Sequence, residues 1–157
     1  MVGNTLFSVL EHGAASDPAL VVPGGPRLTY GQLREQVSLA ADRLAQHGLG
    51  REDRIAIVFP NGAESIVLFL AAAMVGTAAP LNAAYKEDEF RFYLEDTGAR
   101  ALIVPPGEAE AARRALPEGV ALIEAHLDHH GQLVLESDTP ADPSRSAASE
   151  TCSRSWP

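Results

Sequence analysis

The chain has 157 residues, of which 46% are apolar and 21% charged, a balance that suits one globular domain with a real core. Its 21 acidic and 12 basic residues leave a formal charge of −9, and the basic residues are scattered along the chain, which argues against nucleic acid as a partner. The one cysteine, Cys152, cannot pair within the chain, so no disulfide framework is expected and a reducing, cytoplasmic setting fits best.

The N-terminal stretch from Met1 to Phe7 has neither a basic region nor a continuous apolar run, so a signal peptide is not expected. Asn4 to His12 spaces Leu6, Phe7, Val9 and Leu10 as an amphipathic helix that Gly13 would stop. Ala19 to Val22 and Arg27 to Tyr30 are short extended runs around Pro23-Gly24-Gly25-Pro26. They predict a small hairpin. Thr29 and Gln32 have the spacing of a capping box, and Leu33, Val37, Ala40, Ala41 and Leu44 then mark one face of a helix ending at Gly48.

Arg54 to Phe59 is apolar without alternation, the pattern of a strand covered on both faces in a parallel sheet. Asn61 and Glu64 predict a second cap, opening a helix from Gly62 to Val75 that Gly76 terminates. The apolar stretch from Ser65 to Val75 falls short of the roughly 20 residues a membrane span needs, so a buried helix and no transmembrane segment are expected. Thr77 to Leu81 is a strand candidate weakened by Pro80, followed by a loop over Asn82 to Tyr85. Glu87, Asp88 and Glu89 suit the start of the next helix, whose apolar face is Phe90, Tyr93 and Leu94 and whose stop is Gly98. Ala101 to Val104 reads as a strand, Glu108 to Leu116 as a helix and Val120 to Ile123 as a strand. The β-α repetition predicts an α/β fold, a mainly parallel twisted sheet flanked by helices. From Ser137 to Pro157 the chain turns Ser-, Pro- and Ala-rich with Trp156 as its only large apolar side chain, so residues 1–136 are expected to form the domain and 137–157 a disordered tail.

Several segments combine in one order: Leu28-Thr29-Tyr30-Gly31-Gln32-Leu33, Arg54 to Val58, Pro60-Asn61-Gly62, Gly76 to Asn82, and Tyr93 to Ala99. Together they resemble the opening of the adenylate-forming acyl-CoA synthetase (AMP-binding) superfamily. Pro80-Leu81-Asn82, Tyr85, Glu89 and Phe90 further resemble the branch containing oxalate-CoA ligase-like proteins. The resemblance implies the first portion of the large N-terminal domain of such enzymes, whose intact reaction uses ATP, Mg and CoA. It also implies that the shared motifs are chiefly architectural, with Asn82 and Tyr85 as candidates for bordering an acyl or CoA channel, where a polar exit follows a parallel strand.

The family's phosphate loop ending in Lys, its Mg-linked Thr-Glu segment, its ribose-binding Asp and its late catalytic Lys have no counterpart here. The only lysine is Lys86, at an acidic helix start, so no residue is assigned a catalytic, nucleotide-binding or metal role and the chain is not expected to adenylate a substrate alone. A truncated synthetase, or one half of a split synthetase whose partner is the remainder, is the expectation; a non-enzymatic α/β interaction module is the alternative.

Other constellations are weaker. Gly48-Leu49-Gly50 is half a dinucleotide fingerprint in the wrong place, after a helix and before a strand. His126, His129 and His130 have no cysteine or carboxylate set to complete a metal site and suit a solvated turn near Gly131. Ser8, His12 and Asp17 lack the surroundings of a nucleophile elbow and are set aside.

Overall fold

The computed structural model describes residues 6–128 and 132–137. It is built in the order α1 (Leu6–Glu11), β1 (Pro18–Val21), β2 (Arg27–Thr29), α2 (Tyr30–Gln46), β3 (Arg54–Ile57), α3 (Ala63–Val75), β4 (Thr77–Pro80), α4 (Glu87–Asp96), β5 (Ala101–Val104), α5 (Glu110–Arg114), β6 (Ala121–Leu127) and β7 (Leu133–Ser137). A five-stranded sheet has the order β4-β3-β5-β6-β7. Its first four strands are parallel, and β7 closes the edge antiparallel to β6.

Each core strand divides its side chains between two apolar layers. Ile55, Ile57, Ala101, Ile103, Ile123 and Ala125 belong to the layer shared with α2 and α3, where Val37, Leu44, Val67 and Leu68 are also buried. Ala56, Val58, Leu102 and Val104 face the opposite layer, which Phe90 and Leu94 of α4 and Ala112 of α5 complete. This two-sided cover explains why β3 and β5 read as unbroken apolar runs. Truncating a side chain as large and as buried as Phe90 would cost about 3–5 kcal/mol.

The expected hairpin is present, with β1 antiparallel to β2 and a register irregularity between Pro18 and Leu20. Its turn closes through the Gly25 N–H on the Val22 carbonyl at 2.9 Å, with Gly24 at φ +71°. The Thr29 hydroxyl accepts the Gln32 N–H at 3.3 Å, while the Gln32 side-chain oxygen accepts the Thr29 N–H at 3.0 Å, which is the predicted capping box. Arg34, one turn into α2, reaches back and donates to the Leu10 carbonyl at 2.7 Å and the Gly13 carbonyl at 3.1 Å, tying down the end of α1.

Four details depart from the sequence expectations. The cap of α3 is Gly62 with Ser65, whose hydroxyl accepts the Gly62 N–H at 3.2 Å, in place of the Asn61 and Glu64 pair. A Gly at the cap frees the chain to start one residue later, and serine three positions on supplies the oxygen. Strand β6 runs to Leu127 and α5 is shortened to Glu110–Arg114, because Ala109 takes a left-handed conformation, φ +57°, that breaks the helix before it. Strand β7 was not expected; its Leu133 and Leu135 alternate inward, and Ser137, assigned by sequence to the tail, donates its hydroxyl to the Leu122 carbonyl at 3.2 Å. The remainder of the expected tail, 138–157, lies outside the described residues, as do Asn4, Thr5, His129, His130 and Gly131.

Pro80 sits where a strand can take it. The Thr77 and Leu81 N–H groups donate inward to the Asp53 and Ile57 carbonyls, at 2.9 and 2.8 Å. In a parallel ladder the alternating positions 78 and 80 then direct their backbone nitrogens away from β3, so proline removes no bond between the two strands.

Two polar devices fix the helix ends to the sheet. Arg54 donates to the Thr97 carbonyl at 2.9 Å and the Gly98 carbonyl at 2.7 Å, capping the C-terminus of α4 with a cation, where the helix dipole favours one. Arg113 donates to the Glu108 carbonyl at 2.6 Å and the Pro105 carbonyl at 2.9 Å and pairs with the Glu124 carboxylate of β6.

Gly76 is required by close approach. A Cβ there would stand 2.5 Å from the Asp53 carbonyl oxygen and 2.6 Å from that of Gly50, both backbone atoms of the turn leading into β3. Gly76→Ala is therefore expected to destabilise the fold by about 1–3 kcal/mol, the range for overpacking. Urea denaturation would show a lowered midpoint, and an unchanged midpoint would mean the approach is looser than described.

Candidate functional site

In an open α/β sheet, ligands gather beyond the carboxyl ends of the strands, where successive connections leave in opposite directions. Here β3 continues through α3 to β4 on one side, and β4 returns through α4 to β5 on the other. The apolar layers show α3 and α4 on opposite faces. By that rule, the place where a ligand would gather is between the loops that follow β3 and β5, over residues 58–62 and 105–109. Pro60, Asn61 and Gly62 come from the first loop, and Pro105, Pro106, Gly107 and Glu108 from the second. The exit of β4 is legible in the sequence and this junction is not, because strand order is invisible until β5 is placed on the far side of β3.

The second loop is the better anchored of the two. Arg113 grips it at Pro105 and Glu108, and Gly107 and Ala109 both take left-handed conformations, at φ +66° and +57°. The first loop is continuous with the sheet, since the Val58 N–H donates to the Ile103 carbonyl at 2.9 Å. What this end of the sheet offers is shape and backbone polarity. Among the described residues no three His, Cys, Asp or Glu side chains come together as a metal-binding group.

Asn82 and Tyr85 are brought together in one turn at the carboxyl end of β4, the edge strand. The Asn82 side-chain oxygen accepts the Ala84 N–H at 3.0 Å and its carbonyl accepts the Tyr85 N–H at 3.1 Å. Asn82 is exposed, and its amide nitrogen is left to solvent by these two bonds. Tyr85 packs its ring against α4, stacked on Tyr93 with centroids 5.1 Å apart and edge-on to Phe90 at 5.8 Å. Lys86 occupies the cap position of α4, where the Glu89 carboxylate accepts its backbone N–H at 2.8 Å.

The remaining candidates have local roles. His12 donates from its ring to the backbone carbonyl of Ser8, so this imidazole caps α1. Asp17 closes the next turn through its N–H on the Ala14 carbonyl, at 2.9 Å. Gly48, at φ +77°, terminates α2, and the Gly50 N–H donates to the Asp53 carboxylate at 2.8 Å, so these glycines stop a helix and shape a turn. His126 stands on β6 opposite Val134.

A hydrogen bond with Tyr93 is the largest influence raising the Tyr85 phenol above the ordinary tyrosine range, reinforced by the charge of Tyr93 and, more weakly, of Glu89. The protonated phenol is thus favoured in the folded state. Its contribution is fully present below the unfolded tyrosine value of about 10 and is lost as pH rises through the higher folded value. Titration of tyrosinate absorbance is expected to show a late-ionising component among the three tyrosines that vanishes in Tyr85→Phe. A wild-type titration complete at the ordinary value would contradict this.

Comparison with known proteins matches this architecture to one family. The AMP-binding enzyme family matches residues 10–157. The protein named Probable CoA ligase CCL9 from Humulus lupulus is 41% identical, over 89% of this chain and 28% of its own length. The oxalate–CoA ligase of Arabidopsis thaliana is 38% identical, over 90% of this chain and 30% of its own. In structure, the benzoate CoA ligase of Burkholderia xenovorans LB400 superimposes with a TM-score of 0.68 at 27% identity, over 77% of this chain and 25% of that one. The chain thus spans less than a third of the length of the curated CoA ligases it matches, and it belongs to the AMP-binding enzyme family as a partial-length member.

Proposed function

We propose that these residues supply the first part of the large domain of an ATP-dependent, AMP-forming acid–CoA ligase, and that the chain by itself catalyses neither half of that reaction. In the whole reaction a carboxylate attacks ATP to give an acyl-adenylate and pyrophosphate, and CoA then displaces AMP to give the thioester. Mg would balance the phosphate charge. The observation that carries the reading is the extent of the match, residues 10–157, joined to the identity with CoA ligases.

The non-catalytic part rests on chemistry. Neutralising a triphosphate takes a Gly-rich backbone cradle and a nearby lysine. The single lysine here is the cap of an acidic helix, beside Glu87, Asp88 and Glu89. Asn82 and Tyr85 are proposed to border the acyl or CoA channel of the complete enzyme, supported by their place beyond the end of a parallel strand. Residues 1–136 are proposed as the partial domain and 137–157 as its tail. The reducing cytosol is the proposed setting, in keeping with the one cysteine; no helix among the described residues is long and apolar enough to cross a membrane.

A second reading, one half of a split synthetase, is favoured by the outer surfaces of α2 and α3. Leu39 and Ile66 remain 45% and 38% exposed there, and α3 is apolar around nearly its whole circumference, as befits a helix covered on all sides. Oxalate is the first acid to try, given the relative's name. With ATP, Mg, CoA and a carboxylate panel including oxalate, the chain alone is expected to release no pyrophosphate above background. Release would overturn the non-catalytic reading. Co-expression with the polypeptide encoded immediately downstream, followed by size exclusion, is expected to give co-elution if the chain is half of a split enzyme, and separate elution would sink that reading.

A further inference from the structure

The outer side of α4 carries an aromatic surface that starts at core Phe90 and channel candidate Tyr85 and extends beyond both to solvent. Three rings lead from the core to solvent. Tyr85 rests edge-on against buried Phe90, its other face stacks on Tyr93 at an interplanar angle of 18°, and Phe92 meets Tyr93 edge-on with centroids 5.3 Å apart. Phe92 is 59% exposed, more than any other large apolar side chain among the described residues. A single exposed phenylalanine is ordinary, but a run of touching rings that ends in solvent is a patch.

The surroundings of the patch indicate its occupant. Positions 88, 89, 95 and 96 lie three or four residues from 92 and share its stripe of the helix. All four are carboxylates, Asp88, Glu89, Glu95 and Asp96, and all are exposed. None of them enters an ion pair among the described residues, whereas Glu87, one position round the helix, is held by both Arg91 and Arg114. Aromatic faces are electron-rich and attract cations, and the carboxylate rim does the same. A planar guanidinium can stack on a ring and fork onto a carboxylate together, which an ammonium cannot. The chain's charge of −9 attracts a basic partner to the same surface.

We propose that the outer face of α4, centred on Phe92 and Tyr93 and rimmed by Asp88, Glu89, Glu95 and Asp96, is a docking surface for an arginine-bearing segment of a partner protein. The proposal is independent of the ligase reading, since neither its centre, Phe92 and Tyr93, nor its carboxylate rim is placed at the channel, and Tyr85 serves only as the ring on which Tyr93 stacks. A labelled synthetic peptide with four arginines separated by alanines, and its lysine counterpart, would be titrated against the full 157-residue chain by fluorescence anisotropy.

The arginine peptide is expected to bind more tightly than the lysine peptide. Phe92→Ala should weaken it about fivefold or more, within the range of a cation–π contact. Phe92→Leu keeps apolar area without a π face and should behave like Phe92→Ala. Asp88→Asn with Asp96→Asn should weaken binding well beyond Glu52→Gln with Glu118→Gln, which removes the same charge from exposed positions elsewhere. Because Phe92 projects into solvent, circular dichroism of its variants should match the wild type. The proposal is overturned if neither peptide binds, if the remote charge pair weakens binding as much as the α4 substitutions, or if Phe92→Ala instead abolishes self-association of the chain.

Discussion

The central constraint is the burial of β3 beyond Arg54, continued by Val58 just after it. Ile55, Ala56, Ile57 and Val58 are each at most 3% exposed, and they point alternately into two different apolar layers. A strand in that position must have a paired neighbour on each side and a helix on each face, because buried backbone and side chains alike have nowhere else to go. β4 and β5 satisfy the first requirement, and α3 and α4 the second. The reversal of chain direction between β4 and β5 follows from the same demand, since two neighbours of one strand are reached by crossovers on opposite faces.

Much of this was legible from residues whose roles are local. The Thr29 and Gln32 capping box, the apolar stripe of α2 and the glycine stops at Gly48 and Gly98 all operate within one turn of the chain, and the structure keeps them. The cap of α3 failed for an equally local reason. Asn61 and Ser65 both carry an oxygen able to accept a backbone N–H in a cap motif, and only the backbone conformation at Gly62 decides which spacing operates. Strand β7 was illegible because its five residues follow a polar stretch of sequence and their pairing partner, β6, fixes them only in three dimensions.

The candidate site was less legible than the fold. Asn82 and Tyr85 could be placed beyond a strand, but the strand proved to be the sheet edge, and their side chains engage Ala84 and Tyr93. The junction after β3 and β5 depends on strand order, which no periodicity encodes. Its anchor, Arg113, resembles any surface arginine of a short helix until Pro105, Glu108 and Glu124 are seen to converge on it.

The proline of β4 bears on how this fold avoids polymerising. An exposed strand edge is a template on which a further chain can add, and among the described residues β4 is the outermost strand on its side of the sheet. Of the two backbone nitrogens that β4 directs outward, at 78 and 80, one has no hydrogen to offer. With only four residues in the strand, an incoming chain would find too few donors to register against, so growth by main-chain pairing on this side is suppressed without any charged guard residue. The side chain that makes β4 a poor strand by propensity is what makes it a safe edge.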